Sequence, residues 1–404
     1  MSLRRVALAL LPLAALACSS SGGGSPSPAP APDGGVADGG GGGDAAAAKL
    51  SFKPSNVDLS GVDASGLGDY VVAEKNCSLS TESKSASCGD SSKLAFTLLT
   101  QPDSSKIGVY VARSVRVEQN AELVAQGPYP LVIVALDTME IFGTLKATPD
   151  TNGRSVGGGF PGDTVSNAKG RGPGGGGAGS ESNAGGGASY CGVGGKGAPG
   201  QGGVAAAGGA TYGNPEIVPL VGGSSGGSGV INGGGTGGGA IQLVAGTSLK
   251  VGPLAVVSAG GGGGLYGGAV NQQTASGGGS GGAILIESPI VEVAGVLAAN
   301  GGGGGPSSTS ASTEPGENGR ADAQPASGGS SQLADISLGG KGSAAASQDG
   351  VDGAVSTESS PKGSGGGGGA GRIRINTKSG AASITGTLSP AAATSCASQG
   401  TLKP

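Results

Sequence analysis

Two stretches carry the Gly-x-Ser-x-Gly spacing of a hydrolase nucleophile elbow: residues 223–227 around Ser225 and residues 278–282 around Ser280. A serine in that turn attacks only if a neighbouring base takes its proton, usually a histidine. The chain contains no histidine, and among 92 glycines with abundant serine the pattern is expected by chance. Residues 192–197 (GVGGKG) formally satisfy a dinucleotide fingerprint, but no strand precedes them and no helix follows. Gly-Lys-Ser and Gly-Lys-Thr are absent, which removes a P-loop. Asp349 and Asp352 place two carboxylates in one turn, yet the Gly-Gly-x-Gly-x-Asp repeats of calcium-binding β-rolls are missing, so they read as turn chemistry. Glu287 and Glu292 are the nearest strand carboxylates to the acid–base pair that glycoside chemistry needs. They stand among apolar or alternating columns and not in an acidic cleft. The residues therefore point to no catalysis, no cofactor and no metal.

The cysteines carry a clearer message. Arg4 and Arg5 precede an apolar run over residues 6–17, too short for the ~20 residues that cross a bilayer, and small residues lead into Cys18. This is the pattern of a secretory signal peptide. LAALAC at residues 13–18 resembles a bacterial lipobox, with Ala15 where leucine is commonest, which implies lipidation of Cys18 and a membrane anchor. Ser19 resembles the residue of lipoproteins sorted to the outer membrane. Cys77, Cys88, Cys191 and Cys396 remain, an even number in an oxidising compartment, with three connectivities open. The short interval makes Cys77–Cys88 the easiest bridge to close, leaving Cys191 and Cys396 as the other candidate pair. Without histidine or a Cys-x-x-Cys pair, zinc is a poor competitor.

Composition bounds what can position these residues. Glycine makes roughly a quarter of the 404 residues, aromatic residues 2% and charged residues 12%. Glycine is costly inside helices, so a thin repetitive β core is expected in place of a large mixed one. A net charge of -4 and a pI near 5.0 exclude the dense cationic surface that nucleic acid requires.

Internal repeats supply the architecture. With Gly143 under Gly295, residues 132–147 (VIVALDTMEIFGTLKA) fall on residues 284–299 (ILIESPIVEVAGVLAA) without a gap. Residues 241–259 and 373–390 are further copies after small shifts, and residues 115–125 a partial one. One column reads Val115, Met139, Leu249, Val291, Ala382, and another Val117, Ile141, Val251, Val293, Ile384. Between them runs Arg116, Glu140, Lys250, Glu292, Ser383, alternating in sign where charged. In strands of period two the flanking columns face inward and the charged one outward. Units of about twenty residues stacking in parallel predict an all-β fold, a right-handed parallel β-helix (β-solenoid) with long glycine-rich loops inserted between coils.

The expected organisation is a signal peptide over residues 1–17, a lipidated Cys with a Gly/Ser/Pro/Ala tether over 18–48, and an N-terminal β-rich part with the first coils over 49–147. A glycine-rich insertion follows over 148–239, then two central coils with a short glycine-rich loop over 240–299, a second long insertion over 300–371, and the last coil with its tail over 372–404. The insertions leave and return at equivalent points, which places them along one edge as one surface. With no strict three-residue repeat, they are expected to be disordered or loosely ordered rather than packed as extended polyglycine.

The lipobox-like start, the Cys77 to Cys88 segment, PLVIVA at residues 130–135, the repeated Gly-Gly-Ala-Ile and the terminal GRIRI at residues 371–375 resemble a family of bacterial glycine-rich lipoproteins. The resemblance implies export and a β-helical fold, and carries no catalytic site. The expectation is a cell-envelope lipoprotein at the outer membrane or cell surface with a structural, surface-display or adhesive role. Its partners would be the membrane, through the anchor, and envelope or extracellular polysaccharide or protein, with no nucleic acid. The alternative is a carbohydrate-binding module or a polysaccharide-active β-helix enzyme.

Overall fold

Alternation of apolar and polar residues in short, turn-bounded runs makes strands buried on one face, and the chain stacks them by repetition. The computed structural model describes residues 48–150, 156–200, 203–230, 233–266, 274–307, 313–331, 338–355 and 363–404; Cys18 and the leader lie outside the described residues. Among the described residues, the regular elements apart from one 3-10 turn at Ser91–Lys93 are strands. Residues Ala45–Pro404 form one compact unit.

Three sheets dominated by parallel pairing contain nearly all of the strands. One six-stranded sheet runs Asp69–Val72, Ser114–Val117, Thr138–Ile141, Ser248–Val251, Ile290–Val293, Ser383–Ile384. The other runs Cys77–Ser80, Glu122–Gln126, Thr144–Lys146, Val256–Ser258, Val296–Ala298, Thr387–Ser389. The seven-stranded sheet starts with the antiparallel strand Ala95–Thr100 and continues through Lys106–Ala112, Leu131–Ala135, Ala240–Ala245, Ala283–Glu287 and Arg372–Thr377 to Ala397–Thr401. From Lys106 on, each turn of chain adds one strand to each sheet in the same order, giving the rungs of a solenoid-like stack. The segment read as a partial repeat at residues 115–125 belongs to a complete rung.

The two apolar columns and the charged column are in the expected register. Val115 pairs with Met139, Met139 with Leu249 and Leu249 with Val291, all buried, while Arg116, Glu140, Lys250, Glu292 and Ser383 stack between them. Arg116 forms an ion pair with Glu140, and Lys250 lies 3.8 Å from Glu292. These groups are substantially exposed, so each pair is worth only about 0.2–1 kcal/mol; register comes from burial of the flanking Val, Ile, Leu and Met side chains, at roughly 1.5–3 kcal/mol each.

The gap-free alignment slips by one residue in the first strand of the unit. Leu131, not Val132, stacks over Ile241 and Ile284. The corner before Ile290 is shorter than the one before Thr138, because Val134 shares a rung with Glu287 and Met139 with Val291. A one-residue slip reverses the faces of a strand, but the seven-stranded sheet is buried on both. Its inner face carries Leu131, Ile241, Ile284 and Ile373. Its outer face, with Val132, Val134, Val244 and Leu285, is covered by Phe52, Val57, Leu59 and Val62 and by Tyr190, Ile217 and Leu220. Burial on both faces explains why these strands read as unbroken apolar runs.

Candidate functional site: the glycine-rich insertions

The insertions all leave after a strand of the second six-stranded sheet, at Thr144–Lys146, Val256–Ser258 and Val296–Ala298, and return into the seven-stranded sheet at Ala240–Ala245, Ala283–Glu287 and Arg372–Thr377. Their described residues are ordered, which overturns the expectation of loose loops. In residues 277–282 the amides of Gly277 and Ser280 donate to Gly227 and Ser224, those of Gly278 and Gly281 to Gly366 and Gly369, and those of Gly279 and Gly282 to Gly262 and Ala259. Every third residue thus addresses the same neighbouring segment, and no bond forms within the segment. That is the geometry of polyproline II helices, with three residues per turn, packed side by side. Residues 365–371 repeat it: Gly365, Gly368 and Gly371 donate to Gly305, Gly302 and Ala299, Gly366 and Gly369 to Gly185 and Ala188, and Gly367 and Ala370 to Val351 and Gln348. Each insertion bonds to the others, so the three make one bundle at one corner of the stack.

Close approach of backbones is what requires glycine here. A Cβ on Gly277 would lie 1.9 Å from the Gly186 oxygen, and one on Gly368 2.0 Å from the Gly279 oxygen. Where the lattice admits serine, the hydroxyl takes over a backbone amide that lacks a carbonyl partner. Ser225 Oγ accepts from the Arg171 amide at 2.7 Å and Ser280 Oγ from the Ser224 amide at 2.9 Å. Both serines of the elbow-like patterns are fully buried struts of the bundle. The fingerprint at residues 192–197 is another bundle segment, with Gly192 and Gly195 donating to Ala370 and Gly367.

Asp349 and Asp352 act at the rim. Asp349 Oδ1 accepts from the Val193 amide at 2.8 Å and Asp352 Oδ1 from the Lys196 amide at 2.7 Å. Two carboxylates three residues apart meet two amides three residues apart, standing in for the carbonyls of a further chain.

Tyr190 and Tyr212 fasten the root of the bundle to the seven-stranded sheet. Their rings stack 4.5 Å apart, Tyr190 Oη donates to Val221 O at 3.2 Å and Tyr212 Oη to Gly222 O at 2.6 Å. Burial pushes both phenols well above their ordinary range. The Arg372 guanidinium lies over the Tyr190 ring, and burial holds it below the usual arginine range. The second bridge, Cys191–Cys396 with Cα atoms 5.7 Å apart, ties this root to the last strand. Cys77–Cys88, with Cα atoms 5.4 Å apart, closes the other end of the stack, where Leu79 pairs with Ala86. The cluster of Glu74 with Cys77 and Cys88 has both sulfurs engaged in that bridge.

Glu287 and Glu292 do not meet. Glu292 is exposed on a six-stranded sheet beside Lys250, whereas Glu287 is buried in the outer face of the seven-stranded sheet. Its carboxylate accepts from Ser55 N (2.9 Å), Ser55 Oγ (2.6 Å), Gln242 Nε2 (2.7 Å) and Asn376 Nδ2 (3.1 Å). Four neutral donors satisfy the buried charge and pin the N-terminal segment across the sheet. Sequence reasoning missed the roles of Ser55, Tyr190 and Tyr212. The spacing of Asp349 and Asp352 was a readable signal, as were the inward-facing pairs Gly316 and Gly319 or Gly350 and Gly353.

Comparison of the chain with protein families, with curated proteins and with solved structures returns no match.

Proposed function

We propose that the protein is an exported, lipid-anchored envelope protein that displays the glycine bundle, with Cys18 as the lipidated residue and a right-handed parallel β-helix as the rigid base. Its role is structural or adhesive, without catalysis. The observation that carries this reading is that the three insertions pack into one ordered body rooted at one corner of the stack. A scaffold that holds many chain segments in fixed register costs a large conformational entropy, which is consistent with presentation of a defined surface. The ionisable groups singled out from the sequence have structural partners: Glu287 clasps the N-terminal segment, Asp349 and Asp352 hold rim amides, and Glu292 pairs with Lys250.

The test has two arms. Radioactive palmitate should label the chain, and Cys18→Ser should abolish the label. Deleting the protein should weaken cell adhesion or envelope integrity; cells indistinguishable from wild type in both would refute the role.

A further inference from the structure

Residues 372–404, all of them described, supply the last strands of the three sheets and so close one end of the stack. They carry Arg372, Arg374, Lys378 and Lys403 and no aspartate or glutamate, in a chain whose net charge is -4. Backbone bonds gather the lysines. The Leu402 amide donates to Thr377 O, which brings the next residues, Lys403 and Lys378, to the same place, and the Lys53 amide donates to Lys403 O. Lys53 and Lys403 stand directly opposite each other in an antiparallel bridge, and all three lysines are exposed.

Like charges set opposite each other across paired strands repel, so this arrangement works against the fold unless something else compensates it. Among the described residues no carboxylate lies within ion-pair distance of Lys53, Lys378 or Lys403. Arg374 likewise has only Asn376 Oδ1, at 2.8 Å, as partner, whereas Arg113, Arg116, Arg171 and Arg320 each pair with a carboxylate. The nearby acids do not balance the cations: Glu287 is buried and satisfied by neutral donors, and the exposed Asp58 and Glu216 act at longer range on Lys53 and Arg372. The other exposed residues of this end include Ala381, Ser383, Ala392 and Gln399, none of which opposes the approach of negative charge. The chain enters the described fold at Ala48, five residues before Lys53, so an anchor at Cys18 joins the fold beside these lysines.

From this we infer that the end of the stack closed by residues 372–404 docks on the bilayer that holds the anchor, with lipid headgroup phosphates as the counter-ions of Lys53, Lys378 and Lys403. An anionic bilayer attracts basic residues held near its surface, and the attraction fades within a Debye length. A soluble acidic polymer offers the same charge, but the point of chain entry favours the bilayer. The inference rests on the lipid-anchored reading and adds an orientation, with the last rung against the membrane.

The test uses the chain from residue 18 with Cys18→Ser, which keeps the compact unit Ala45–Pro404 whole and removes the lipid. It should sediment with vesicles of phosphatidylglycerol and phosphatidylcholine in equal parts at about 0.1 M salt, be released at about 1 M, and ignore phosphatidylcholine alone. Lys53→Gln/Lys378→Gln/Lys403→Gln should weaken binding at least tenfold with circular dichroism and melting unchanged, because all three positions are exposed. Lys75→Gln/Lys84→Gln/Lys106→Gln removes the same charge from exposed positions near the first rung and should bind as wild type. No binding to the anionic vesicles, a first triple variant that binds as wild type, or an equal loss in both triple variants overturns the inference. So does binding to a soluble polyuronate without binding to vesicles, which would assign the lysines to a polymer. If palmitate labels Cys18 but the vesicles are ignored, the anchor stands and the docking falls; if the vesicles are bound but no label enters, the docking stands and the anchor falls.

Discussion

Replacing Gly368 by alanine distinguishes a packed bundle from a loose insertion by the sign of its effect. The new Cβ would stand 2.0 Å from the Gly279 oxygen, where ordinary contact begins near 3.4 Å, so the two segments must part by about 1.4 Å. They cannot do so alone, because Gly368 donates to Gly302, Gly302 to Gly279 and Gly279 to Gly262. Breaking two of these bonds strands buried backbone groups at about 1–3 kcal/mol each. The smaller entropy of the unfolded alanine chain returns only about 0.4–1 kcal/mol. Net destabilisation of about 2–4 kcal/mol is expected, read as a lower midpoint in urea unfolding followed by circular dichroism. Gly262→Ala is the control, since its Cβ meets nothing nearer than the Thr236 amide at 3.0 Å, and a loss below about 1 kcal/mol is expected. In a loose loop both substitutions would be neutral or mildly stabilising. A Gly368→Ala protein at least as stable as wild type would refute the packing argument.

Further outcomes follow from other contacts. Glu287→Ala leaves donors of Ser55, Gln242 and Asn376 unpaired in a buried site and should cost about 3–5 kcal/mol; faster protease cleavage within residues 48–67 would report release of the segment it clasps. Arg116→Glu sets a third carboxylate between Glu118 and Glu140 and should cost about 1 kcal/mol, less at high salt, with recovery on adding Glu140→Arg, measured by thermal melting. Burial raises Tyr70 from its ordinary 10.0 to about 12, and raises Tyr110, Tyr190 and Tyr212 as well. The folded chain therefore keeps phenol protons that the unfolded chain sheds, so this contribution is complete below pH 10 and is lost as pH rises through about 12. Phenolate absorbance for these four should lag behind a free tyrosine until the circular dichroism collapses; ordinary titration with the fold intact would contradict it.

The stack was legible because its signals are local. Alternation around Arg116, Glu140, Lys250 and Glu292 identifies the inward columns, and unbroken runs such as Leu131–Ala135 mark strands covered on both faces. The one-residue slip arose at a corner, where neither face constrains length. The bundle was illegible for a different reason. An interior segment such as residues 277–282 needs a small residue at every position, whereas a rim segment needs glycine only at every third, as at Gly350 and Gly353. No single repeat spans both, and each segment's neighbours come from distant parts of the chain. Glu287 shows the same limit, since its partner Ser55 lies 232 residues away.

Amide hydrogen exchange tests the central claim most directly, because a glycine chain has no side-chain signal to follow. If the insertions form one bundle, the amides of Gly278, Gly281, Gly366 and Gly369 are held by cross-segment bonds and should exchange as slowly as those of Leu131–Ala135 in the seven-stranded sheet. Exchange of these glycines at the rate of an unstructured glycine peptide, with the sheet still protected, would contradict the bundle and the display role built on it.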